Sequence, residues 1–163
     1  MGSKISFPSE FKLATLLEPA ADAAGRTSAI AHSLKNTGKA YLIFHINQGA
    51  ANTVLLTPMQ ASAVAKTGGK VLANAVPIWV NLDGAAGDTW VRVADGVNYT
   101  TDAGVKIKQV CFEIDPAMLD MTNNFDCIYA VTGASAAGNI TSAQVLHCGM
   151  RFQGGLVPSV ITD

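Results

Sequence analysis

Three histidines, three cysteines and one crowd of carboxylates are the side chains that could carry metal binding, nucleophilic attack or proton transfer in this 163-residue chain. His32, His45 and His147 show no HxH or HxxxH spacing, so a metal site would need convergence from distant segments, and each reads instead as a hydrogen-bonded strand residue. Cys111, Cys127 and Cys148 are too far apart for a CxxC motif and read as small buried hydrophobes, with a disulfide as the alternative. Cys148 falls in the alternating set Leu146, Cys148, Met150, Phe152, which is expected to face the core. Cys111 can be drawn into a triad with His147 or Asp126, but no GxSxG elbow or catalytic cysteine string surrounds any of them. Glu113, Asp115, Asp120 and Asp126 offer the paired carboxylates that glycoside hydrolysis uses. Asp115 before Pro116, however, reads as a cap, and Asp120 and Asp126 flank an Asn123-Asn124 turn as solvated acids. The string TGGKV at 67–71 lacks the spacing and the hydroxyl of a phosphate loop. The expectation is a protein that is not an enzyme and holds neither metal nor cofactor.

Binding chemistry is equally sparse. The aromatics Tyr41, Trp79, Trp90, Tyr99 and Tyr129 are scattered, and Trp79 sits in the apolar run PIWV, which predicts a core position. Sequons at Asn98 and Asn139 carry no weight without a secretory route. Asp, Glu, Lys and Arg make up 14% of the chain, against a usual share of roughly 25%, and the net charge is -1. No basic stripe exists to attract nucleic acid, and none is expected as a partner. Residues 40–65 and 127–150 contain no charged side chain, yet both are broken by Asn, Gln, His, Thr, Gly or Pro, so neither reads as a membrane span. The opening MGSKIS fits a myristoylation pattern only superficially, and Lys4, Glu10 and Lys12 interrupt any secretory leader. The expected place of synthesis is a cytoplasm.

Whatever the chain binds must be positioned by strands. From Arg26 onward apolar residues alternate with polar ones between Gly, Asn and Asp turns, which predicts strands at 28–34, 39–47, 53–57, 76–83, 89–95, 105–115, 125–132 and 143–152. No helix is long enough for a βαβ crossover. The fold class is therefore all-β: a single antiparallel β-sandwich, jelly-roll-like, over 26–163. Residues 58–66 read as a brief helix or a strand edge, and 116–121 as a single turn capped by Asp115. Residues 1–25 lack sustained alternation and read as an extended N-terminal arm whose Phe7, Phe11, Leu13, Leu16 and Leu17 contact either a neighbouring subunit or the domain's own core.

Six strings carry a resemblance over most of the chain: FPSEFKLATLL at 7–17, KAYLIFHINQGAAN at 39–52, TPMQASAVAKTGGKVL at 57–72, VPIWVNLD at 76–83, IDPAML at 114–119 and FDCIYAVT at 125–132. In these the sequence resembles capsid decoration proteins, or cement proteins, of tailed bacteriophages. The resemblance implies a virion protein on the capsid exterior that binds the major capsid protein, stabilises contacts between its subunits and self-associates as a homotrimer. It brings no active-site residue with it. The competing expectation is a carbohydrate- or receptor-binding β-sandwich module of a virion.

Overall fold

The computed structural model describes residues 7–151 and 159–162. A single helical turn, α1 (Phe7–Glu10), precedes β1 (Lys12–Ala21), β2 (Arg26–Thr27), β3 (His32–Ser33), β4 (Lys39–Gln48), β5 (Leu55–Ala61), β6 (Lys70–Val71), β7 (Val76–Asn81), β8 (Val91–Gly96), β9 (Tyr99–Thr100), β10 (Ile107–Ile114), β11 (Cys127–Thr132) and β12 (Asn139–Cys148). One six-stranded sheet has the order β1-β12-β4-β10-β7-β8. The other has the path β2-β11-β5-β6, with β3 on β11 and β9 on β5. Every pairing is antiparallel, and the two sheets enclose one main core. The molecule is an antiparallel β-sandwich.

Alternation sets which face is buried. In β4, Ala40, Leu42, Phe44, Ile46 and Gln48 point inward while His45 and Asn47 stay exposed. In β10, Lys108, Val110, Phe112 and Ile114 point the same way. Phe44 and Phe112 meet edge-on at 5.8 Å in the middle of the core, and burying a side chain of this size contributes about 2 kcal/mol. The β4–β12 pair of the first sheet continues as the β5–β11 pair of the second. At that crossover the Asn139 side chain donates to Asn52 O (2.8 Å) and accepts from Ala50 N (2.9 Å). Gly49 N donates to Gly138 O, and a Cβ at Gly49 would lie 2.5 Å from that oxygen, so only glycine fits there.

Several elements differ from the sequence reading. Lys12–Ala21 is an edge strand of the chain's own sandwich and not a free arm. A register break between Thr15 and Leu17 turns Leu16 and Leu17 inward together, which hides the strand's alternation. Of the single strand expected at 28–34 only His32–Ser33 is strand; β2 ends at Thr27, because the Ser28 hydroxyl takes the place of its carbonyl in accepting from Ala130 N (2.9 Å), although Ser28 N still donates to Ala130 O. Residues 58–61 are strand, so the helix alternative for 58–66 is wrong. Pro58 is tolerated because it falls between the stretch paired with β9 and the stretch paired with β6, where that side of β5 lacks a partner. The turn at 116–118 forms as expected, with Ala117 N donating to Asp115 Oδ1 at 2.9 Å.

Parity of the last strand is inverted. Ala143, Val145 and His147 face the core, while Leu146 and Cys148 are half-buried on the outside. Polar Asn139, Thr141 and His147 can take inward positions because each finds a hydrogen-bond partner there, so hydrophobicity alone selected the wrong face. Met150 packs instead with Val160 in a second small cluster, and Phe152 lies outside the described residues. Trp79 is on the outer face of the first sheet, half-buried, because Ile78 and Val80 take the inward positions of β7.

Candidate docking surface

The apolar residues singled out near the N-terminus divide into two groups. Leu16 and Leu17 belong to the core. Phe7, at 51% exposure, and Leu13, at 46%, are on the surface, and Phe11 is half-buried with its ring 5.8 Å from that of Phe7. Ile30, which sequence reasoning passed over, is exposed on the opposite side of the same edge. Its exposure follows from the break between β2 and β3, for which a strand reading of 28–34 had no signal.

Between β1 and the 26–30 segment runs a cleft of about 340 Å³, lined by Thr15, Leu16, Leu17, Glu18, Arg26, Thr27, Ala29 and Ile30. Arg26 organises its floor. Its guanidinium donates to Thr141 O at 2.6 Å and also to Ala20 O and Glu18 O, carbonyls that the irregular register of β1 leaves free of the ladder. With Pro19 in the strand, two register breaks and those carbonyls engaged, β1 is a poor template for an added strand. A partner at this edge is therefore met by side chains: the Phe7–Phe11 pair, Leu13 and Ile30.

Buried polar groups fix this edge to both sheets. The carboxylate of fully buried Asp22 accepts from Thr132 Oγ1 in β11 (2.7 Å) and from Thr141 Oγ1 in β12. At the opposite end of the sandwich, His32 of β3 and His147 of β12 stack with centroids 6.3 Å apart and planes at 27°. His147 Nδ1 is bonded to Thr37 Oγ1 at 2.9 Å, whereas His147 Nε2 and His32 Nδ1 have no hydrogen-bond partner among the described residues. Burial lowers the pKa of His32 to about 4. Burial, reinforced by His32 and Lys12, lowers that of His147 to about 3. At the same end as Asp22, Lys108 Nζ, fully buried, donates to Gln48 Oε1 (3.0 Å) and to Asp102 Oδ1 (2.8 Å). That bond holds the Asp102 carboxyl below its ordinary range.

The remaining reactive side chains do not converge. Cys111 faces outward beside Ile43 and Trp79 while His147 faces the core from the same sheet, and Asp126 belongs to the other sheet, so the paper triad has no geometry. Burial pushes the Cys111 thiol up to about 12, leaving it protonated and unreactive. The four carboxylates serve separate structural partners: Lys39 and Trp79 at Glu113, the turn at Asp115, Lys70 and Asn123 at Asp120, and Lys35 at Asp126. Among the described residues, no three His, Cys, Asp or Glu side chains are grouped to hold a metal ion. Among the same residues, no helix is long and apolar enough to cross a membrane.

The chain matches no family model, no curated protein and no solved structure.

Proposed function

We propose that this β-sandwich is a structural virion protein that docks on the outside of a tailed-phage capsid and stabilises contacts between major capsid protein subunits, working as a homotrimer. Two lines support the reading. The first is the resemblance of its packing and turn strings to decoration proteins. The second, which carries the geometry, is the apolar edge formed by Phe7, Leu13 and Ile30 beside the Arg26 cleft. A chain with so few charges that leaves large apolar side chains exposed, Phe7, Leu13 and Ile30 at this edge and others such as Val91, Val105 and Ile107 elsewhere, is suited to contact with a protein lattice. Trimerisation would multiply a modest contact through effective concentration.

Removing the first 25 residues is a poor test, since it would strip Leu16, Leu17 and Asp22 from the core. Surface substitutions are cleaner. Phe7→Ser, Leu13→Ser and Ile30→Ser change exposed side chains and should leave the melting temperature unchanged. In co-sedimentation with expanded capsid shells that lack the protein, the wild-type chain should bind saturably and the triple variant at least about tenfold more weakly. Equal binding by both removes the edge from the docking surface, and absence of binding by the wild-type chain contradicts the decoration reading.

A further inference from the structure

The outer face of the first sheet is not covered by any other described element, and its composition is unusual for a surface meant only for water. Cross-strand neighbours form one row of Leu13, Leu146, Tyr41 and Glu113, and a second of Thr15, Gln144, Ile43, Cys111, Trp79 and Arg92. Trp79 Nε1 donates to Glu113 Oε2 at 3.3 Å, reaching diagonally across β10. The indole therefore lies along the sheet and over Cys111, which is only 8% exposed on a face with no second layer. Tyr41 sits on the far side of β10 and one row away, so the two residues are two strand spacings and two residues along the strand, about 12 Å, apart.

Charges on this face cancel in pairs. Lys39 Nζ donates to Glu113 Oε1 at 2.5 Å, and Arg92, 5.9 Å from the Trp79 ring, is paired with Asp95 at 2.6 Å. Between the aromatics lie Cys111 and Glu113 of β10, and beside them on the same face are amides, an imidazole and hydroxyls: Gln144, Gln109, His45, Ser142 and Thr15. A protein partner with an apolar face would strip water from these groups without replacing its hydrogen bonds. A polyhydroxylated ligand replaces them, and the C–H face of a sugar ring suits an aromatic ring lying flat.

We propose that this face is a binding platform for a neutral, pyranose-based glycan, with Trp79 and Tyr41 as stacking surfaces and Glu113, Lys39 and Gln144 as hydroxyl partners. The neutral balance of the face favours an uncharged chain over an anionic one. The spacing of the two rings fits a run of linked sugars and not a monosaccharide. Trp79 and Tyr41 lie away from the N-terminal edge, which shares only Leu13 and Thr15 with this face.

The test is calorimetric titration of the full chain at millimolar concentrations of lipid-free neutral hexasaccharides of glucose, galactose and mannose. At least one should bind. Trp79→Ala should weaken it about tenfold or more. Gln144→Ala, an exposed position that cannot disturb the core, should weaken it severalfold and guards against misfolding of the Trp79 variant. Binding to none of the sugars overturns the proposal, as does binding that survives both Trp79→Ala and Gln144→Ala. Loss of capsid-shell binding in Trp79→Ala without any glycan binding assigns the face to protein and likewise overturns it.

Discussion

His32 and His147 stack across the gap between the two sheets, each with one ring nitrogen that finds no partner among the described residues. An unfolded imidazole takes up a proton near 6.5, whereas the folded rings do so only near 4 and near 3. Across that window the unfolded chain binds more protons, so the stability these rings allow is full above about pH 6.5 and falls as pH falls. The loss from pH 7 to pH 5 should be about 2 kcal/mol per ring. Urea midpoints at the two pH values measure it, and His147→Gln should remove about half of the slope; an unchanged slope would contradict the burial account. Asp22 makes a second residue-level prediction. Asp22→Ala leaves two threonine hydroxyls buried without their acceptor and should destabilise the fold by about 3 kcal/mol. Asp22→Asn, which keeps an acceptor oxygen, should lose roughly half of that, and equal losses for both would sink the hydrogen-bond explanation.

Among the strands of six residues or more, β8 stands apart because none of its residues is buried, and among the described residues only β7 pairs with it. With its ladder shielded on one side only and little apolar burial behind it, its amides should exchange orders of magnitude faster than those of β4, which is paired on both sides. Native-state hydrogen exchange checks this, and comparable protection in the two strands would contradict it. Regular strands were the legible part of the fold. Lys39–Gln48 alternates plainly, Ile107–Ile114 and Cys127–Thr132 are short runs rich in β-branched and aromatic residues, and turn residues mark their ends, so their positions follow from the residue pattern. What escaped has a shared physical cause: tertiary partners override local pattern. The register break that buries Leu16 beside Leu17 exists only against β12. The inward Asn139, Thr141 and His147 reverse the apparent parity of their strand because distant groups satisfy them. Trp79 turned outward because both of its neighbours, Ile78 and Val80, were claimed by the core.

At the scale of the molecule, the sandwich is held by one continuous core and by polar staples, Asp22 and Lys108 at one end and Thr37–His147 at the other, and it leaves two surfaces with distinct character. One is the apolar N-terminal edge. The other is the charge-balanced aromatic face of the first sheet. Of the edge, Phe7 and Leu13 could be read from the sequence as exposed anchors, but Ile30 and the Arg26 cleft arise only when β1 and the 26–30 segment come together. The aromatic face was illegible for the same reason, since Tyr41 and Trp79 are far apart in the chain and meet only through β10. The central claim is that the N-terminal edge is the part that touches the capsid. Hydrogen-exchange mass spectrometry of the protein free and bound to expanded shells tests it most directly. Protection gained on binding should concentrate in residues 7–15 and 26–30, with β8 and the 84–89 loop unchanged; protection that appears elsewhere and spares 7–15 and 26–30 would contradict the account.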